Sequence, residues 1–231
     1  MKKIIISLLF AMGMVTSSYA ISLEGLSIGA SLGQAGFYGV GEEKTDNQKS
    51  GVDHTKEAGA FRADVGSVFI EYNVGGIGIG IDYIPHTIET PSNKNYQAGG
   101  TGTGDDPDAT NTVSGEFENH TTAYVIISNP AQGLLDGLLD GLYLKAGVVY
   151  VDMISMEQLD TGGSYPDVDT TGITAGLGYS IEAAEGISVR AEVQAYQYDD
   201  VSAANATDGT KTITITDMMS ANAKLSIVKS F

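Results

Sequence analysis

The stretch GLYLKAGVVYVDM, Gly141 to Met153, reads as a strongly apolar β-strand with a single basic residue, Lys145, near its middle. In a soluble β-sandwich that lysine would be buried without a reason, because charged side chains are almost never fully buried unless paired. The fold therefore turns on which side of this strand is wet. Neighbouring segments answer consistently. In LSIGASLG, Leu26, Ile28, Ala30 and Leu32 alternate with Ser27, Gly29, Ser31 and Gly33. In IGIGIDY, Ile77, Ile79, Ile81 and Tyr83 alternate with Gly78, Gly80 and Asp82. The same period of two returns in GITAGLGYSI, in ISVRAEVQAYQ and in the terminal ANAKLSIVKSF. One face is apolar and the other is small or polar. GSVFIEYN places Val68, Ile70 and Tyr72 on the apolar face and Glu71 on the other, whereas the parity of TTAYVIIS, residues 121–128, is ambiguous.

Connections between these strands alternate in length. Residues 73–76 and 182–186 make short turns, and the 128–141 connection belongs with them. Residues 41–59, 85–118, 155–169 and 199–211 make long polar loops that hold most of the acids. Short turns at one end and long loops at the other, joining strands of roughly ten residues, are the pattern of an outer-membrane barrel. The expected fold is all-β: a closed antiparallel up-and-down transmembrane β-barrel of about 8 strands, following an N-terminal signal peptide. Tyr72, Tyr83, Tyr150, Tyr179 and Phe231 fall near strand ends on the apolar face, where interfacial girdles belong.

The first residues support export. Lys2 and Lys3 precede an apolar run from Ile4 to about Val15, and Ser18-Tyr19-Ala20 has the small-x-small form of a signal peptidase site. Residues 1–20 are expected to be a signal peptide read by the Sec pathway, and residues 21–231 the barrel domain in the cell outer membrane. No periplasmic domain is expected after strand eight. The chain has no Cys, which excludes a lipoprotein anchor and a disulfide scaffold. It carries 12 Lys+Arg against 29 Asp+Glu; without Lys2 and Lys3, 10 bases remain against 29 acids, a balance of −19. Nucleic acid is therefore excluded as a partner. Hydrophobic residues nonetheless make up 42% of the chain, so acids and apolar residues must be segregated.

Taken together, these features resemble the small OmpA/OmpX/Opa-like family of Gram-negative outer-membrane barrels, the opacity-type porin superfamily, over the whole mature chain. The resemblance implies that the terminal strand is read by the barrel assembly machinery through Phe231, Ile227 and Leu225. Lys229 departs from the apolar residue usual at its place, and the chain has no Trp for its girdles. Partners implied by the resemblance are outer-membrane lipid, lipopolysaccharide and surface ligands of the long loops.

Inward positions include Glu71, Asp82, Lys145, Arg190, Glu192 and Lys224, with Gln194 and Asn222 nearby. Each lies a few residues from the short-turn end of its strand. A strand tilted by about 45° climbs about 2.4 Å per residue, so these groups should share one band of the lumen. An eight-stranded interior is just wide enough to be filled by side chains, so three acids and three bases read as a plug of paired charges. The expected role is structural or surface-interacting, without enzymatic activity or a cofactor. The alternative is a narrow OmpW-like or porin-like barrel passing small solutes.

A lipid A-modifying enzyme is the third reading. It would need a nucleophile, a base and an orienting group in reach. The imidazoles available are His54, His86 and His120, in or beside the long loops, and neither NHTT at 119–122 nor PHTIE at 85–89 reproduces the His-x-Ser pattern of lipid A deacylase barrels. Asp105, Asp106 and Asp108 bring oxygen ligands together, but the spacing is not that of an EF-hand, and a solvated loop is the expected reading. GLLDGLLDG duplicates a short motif whose leucines, Leu134, Leu135, Leu138 and Leu139, suit an interfacial turn at the periplasmic rim.

Overall fold

The structure, a computed structural model, describes residues 24–47, 51–97, 109–130, 139–159, 164–207 and 209–231. Residues 1–20, Asp105, Asp106, Asp108, Leu134, Leu135 and Leu138 lie outside the described residues.

Among the described residues, eleven strands form one sheet: β1 (Leu26–Asn47), β2 (Gly51–Val74), β3 (Ile77–Tyr83), β4 (Ile88–Glu89), β5 (Asn93–Gln97), β6 (Ala109–Ser128), β7 (Leu142–Leu159), β8 (Val168–Ala184), β9 (Ile187–Tyr198), β10 (Val201–Ala204) and β11 (Lys211–Ser230). β4 and β5 continue the course of β3 against β6, and β10 continues that of β9 against β11. Eight staves result, every neighbouring pair antiparallel. The ring closes where β1 pairs β11 from Ser27↔Ser230 to Thr45↔Lys211. Closure removes the unpaired edge that an open sheet would expose to lipid.

The outward face is aliphatic: Leu32 is 75% exposed and Ile227 67%, with Ile79, Val148, Ile173 and Leu225 also well exposed. So continuous an apolar surface is incompatible with water and matches a bilayer core. Tyr72, Tyr179 and Phe231 are exposed toward its short-turn edge. Tyr83 and Tyr150 both lie opposite Thr121 toward the other edge. At the β2–β3 turn, Gly75 and Gly76 have φ of 59° and 86°, the two successive positive values that a type I′ hairpin requires and that glycine adopts without steric cost.

The strands are longer than the apolar alternation indicates. β1 has 22 residues and β2 has 24, and their ladder runs on to Asn47↔Gly51, so the expected 41–59 loop is mostly paired hairpin. Likewise β5 pairs β6 inside the expected 85–118 loop. Beyond the bilayer the sheet has no lipid-facing side, so its hydrogen-bonded ladder continues without the hydrophobic signature that marks a half-buried strand.

β-Bulges at the long-hairpin end explain the ambiguous parity. Between Glu118 and Thr121 the β6–β7 register shifts, with Asn119 at φ 53°, and Asp217 at φ 53° accompanies the shift between Tyr38 and Val40 on the β1–β11 ladder. An extra residue flips the side-chain alternation beyond it. Below its bulge β6 buries the even-numbered Thr122, Tyr124 and Ile126 in the lumen, whereas above it Phe117 faces inward.

Candidate functional site

The inward face of each strand near the short-turn end supplies one level of the lumen. Glu71 on β2 is 1% exposed and Lys145 on β7 is 5% exposed; Asp82 on β3, Glu192 on β9 and Lys224 on β11 are also buried, and Arg190 on β9 is nearly so. These six side chains form two ion-paired clusters, which the rings of Tyr124 and Tyr143 join. Arg190 Nη1 donates to Glu71 Oε2 at 2.7 Å, Lys224 Nζ donates to Asp82 Oδ2 at 2.9 Å, and Lys145 Nζ lies 2.8 Å from Glu192 Oε2. Lys224 also stands 3.5 Å from Glu192 Oε1, an ion-pair distance too long for a good hydrogen bond. Arg190 to Glu71 and Lys224 to Asp82 join strands that are not neighbours in the sheet, so these contacts cross the lumen.

Three aromatic side chains complete the band. Tyr124 on β6 donates its hydroxyl to Glu71 Oε1 at 2.9 Å, and Tyr143 on β7 donates to Glu192 Oε2 at 3.0 Å. Lys145 Nζ sits 4.2 Å from the Tyr124 ring centroid, and the Arg190 guanidinium lies 5.4 Å from Tyr143 and 5.7 Å from Phe69 on β2. Both cations thus have an ion pair and a π face, which offsets part of the desolvation that burying them costs.

Room for these rings comes from glycines opposite them. Gly29 pairs with Phe69, Gly80 with Tyr124 and Gly178 with Tyr143, and a Cβ at any of the three would overlap the facing ring. Gly176 and Gly178 also leave β8 without inward side chains between β7 and β9, so Lys145 reaches Glu192 across that strand. The sequence reading missed Phe69, Tyr124 and Tyr143 as members of this layer. Phe69 and Tyr143 share the parity of Glu71 and Lys145, two residues away, which is the signal that could have placed them. Tyr124 follows the β6 bulge and had no such reference.

Above the band the lumen becomes polar and then apolar. Gln194 Nε2 donates to Thr174 Oγ1 at 2.8 Å, while Asn222 is buried with its Oδ1 unpartnered. His120, expected beside a loop, is instead buried in the lumen, because it continues the inward even-numbered alternation of Thr122, Tyr124 and Ile126. Its Nε2 lies 3.1 Å from the Tyr198 hydroxyl, which lies 3.0 Å from Ser220 Oγ. The phenol therefore separates serine from imidazole, and the pair is not a nucleophile with its base. His54 and His86 are exposed; His54 Nδ1 meets Glu42 at 2.6 Å, and His86 Nε2 accepts the Gly66 N–H at 3.0 Å.

Two cavities flank the band. A vestibule of about 410 Å³ lies on the short-turn side, bounded by Tyr143 and Arg190, and a cavity of about 500 Å³ lies on the long-hairpin side, with Tyr198 and Thr170 in its lining. At the end of the terminal strand, Leu225 and Ile227 face outward, and Phe231 N–H donates to Leu26 O at 2.9 Å, tying the last residue to the first strand.

No protein-family model matches the sequence. No curated protein matches it either. Among solved structures, the chain is similar to the outer membrane protein OprG from Pseudomonas aeruginosa at 13% identity, covering 90% of this chain and 97% of that one, with a TM-score of 0.51. Neisserial surface protein A aligns at 13% identity over 90% and 98% of the two chains with a TM-score of 0.39. The outer membrane protease OmpT from Escherichia coli aligns at 10% identity over 94% and 99% with a TM-score of 0.41. The last two scores are too low to carry an argument, and at 13% identity the likeness to OprG is one of architecture. With its closed ring and aliphatic belt, the chain has the fold of a small Gram-negative outer-membrane β-barrel.

Proposed function

We propose that the protein is an integral outer-membrane barrel, delivered by Sec export and inserted by the barrel assembly machinery, whose role is structural and surface-interacting and whose lumen does not conduct. The charged band carries this reading: three acids and three bases, joined by contacts that cross the lumen, occupy the level at which a pore would have to run. Opening a path there would leave buried charges unpaired, at roughly 3–5 kcal/mol for each broken pair. The long hairpins beyond the belt offer the surface for contact with lipopolysaccharide and with ligands outside the cell. A non-enzymatic role is supported by the interposed Tyr198 between His120 and Ser220. The test is planar-bilayer recording on the refolded chain. A silent membrane is the result expected, and stable unitary steps would favour the narrow OmpW-like or porin-like barrel instead.

A further inference from the structure

The cavity of about 500 Å³ on the long-hairpin side is not a continuation of the polar lumen below it. Its lining is mostly apolar, because bulges turn side chains inward that would otherwise face out. Past Asn119, Phe117 enters the cavity; past Asp217, Ile213 and Ile215 do. Phe37, Phe61 and Phe117, from β1, β2 and β6, stand as a stack: Phe37 lies 4.8 Å from Phe61 and 5.7 Å from Phe117, with interplanar angles of 10° and 12°. A concave apolar site of this size, with a few polar groups at its edge, is the usual form of a small-molecule pocket.

The wall beside it is open. The β2–β3 ladder stops at Val68↔Tyr83, and among the described residues no ladder joins β2 to β4 or β5. Where pairing ends, His86 takes the Gly66 N–H, and Ile84 and Ile88 pack on Ala35 and Val65. Above this staple, Ala60 and Phe61 of β2 and Thr90 and Pro91 of the segment between β4 and β5 line the cavity with no ladder joining them. The charges at the cavity are of one sign. Glu157 lines it from the inward face of β7, and among the described residues no Lys, Arg or His does. Glu157 accepts hydrogen bonds from Ser155 Oγ and the Tyr165 N–H, whereas Glu116, beside the inward Phe117 and opposite the exposed Glu89, belongs to the outer face.

We propose that this cavity binds a small amphiphilic cation, its aromatic or aliphatic body among Phe37, Phe61 and Phe117 and its ammonium group toward Glu157. Apolar lining selects the body. The Glu157 carboxylate, in a chain of net charge −17, attracts the cation and repels an anion of the same shape. The charged band closes the floor, so the site is a receptor pocket and not a stage of a through-path.

The test uses the full mature chain refolded into zwitterionic nanodiscs, with 1-naphthylmethylamine, 1-naphthalenemethanol and 1-naphthoate as probes. Because the chain contains no Trp, naphthyl emission is read with little protein background, and binding is followed by its anisotropy. The amine should bind saturably and about threefold to fivefold more tightly than the alcohol, the worth of one exposed charge contact, and the carboxylate most weakly. Gly39→Leu should abolish saturable binding: a Cβ there makes ordinary contacts with Met218 at 3.5 Å and Ile215 at 3.7 Å, and the rest of the side chain fills the void. Glu157→Gln should keep saturable binding but erase the preference for the amine. Linear uptake identical in wild type and Gly39→Leu, meaning partition into lipid, would overturn the site. Equal affinity for all three probes in the wild type would overturn the cationic assignment.

Discussion

Replacing Lys145 by Met tests the charged band at its best-defined contact. The substitution nearly conserves volume but removes the 2.8 Å ion pair with Glu192 and the cation over the Tyr124 ring. Glu192 keeps the Tyr143 hydroxyl at 3.0 Å and Lys224 at 3.5 Å, so the carboxylate is weakened and not wholly abandoned. Breaking a buried pair costs about 3–5 kcal/mol, and the remaining partners put Lys145→Met near the lower end, about 3 kcal/mol. Glu192→Gln alone strands Lys145 and should cost as much or more. The double mutant removes both charges, so its loss should fall short of the sum of the singles by about 2 kcal/mol or more. Urea unfolding of the refolded proteins in vesicles reads these differences as midpoint shifts at constant slope. Single mutants that are neutral or stabilising, or a double mutant whose loss equals the sum, would refute the pairing.

Three further outcomes follow from the same geometry. Gly80→Val should destabilise by about 1–3 kcal/mol by driving Tyr124 off Glu71, whereas Gly36→Ala, where an added Cβ meets open space, should stay within about 0.5 kcal/mol; equal effects on urea midpoints would discount the glycine–aromatic pairs. Deleting Phe231, which removes the bond to Leu26, should lower surface levels in cells, and unchanged levels would show that the terminal aromatic is dispensable for assembly. Protease added to intact cells should cut within residues 99–112, the longest Gly- and Asp-rich connection, and cleavage only after the outer membrane is breached would invert the topology.

How far the sequence could be read depended on what surrounds each strand. Where one side meets lipid and the other the lumen, as in LSIGASLG or GITAGLGYSI, period two is forced, and the inward charges could be named from it. Lys145 stood out because a cation on a lipid face costs about 2–4 kcal/mol at the midplane, which left the lumen as its place. Outside the bilayer that constraint lapses. The β1–β2 hairpin pairs to Asn47↔Gly51 through Glu42, Glu43, Lys44 and His54, residues that read as loop because nothing there repeats. Bulges defeated the reading differently: a single αL residue at Asn119 reverses parity, so the inward set passes from the even-numbered His120 and Thr122 to the odd-numbered Phe117, which enters the outer cavity. The Phe37, Phe61 and Phe117 stack joins residues from three strands and depends on register, which alternation alone does not fix.

The central claim is that side chains block the lumen, and conductance measures it directly. Wild-type protein and the variant carrying Glu71→Ala, Asp82→Ala, Tyr124→Ala, Arg190→Ala and Lys224→Ala should be refolded alike, with heat-modifiable migration on gels confirming a closed barrel in both. They should then be recorded in planar bilayers under one salt gradient. The account expects silence from the wild type and stable unitary steps from the variant, whose two cross-lumen ion pairs, Arg190–Glu71 and Lys224–Asp82, are gone. Stable steps of similar size from both would contradict it.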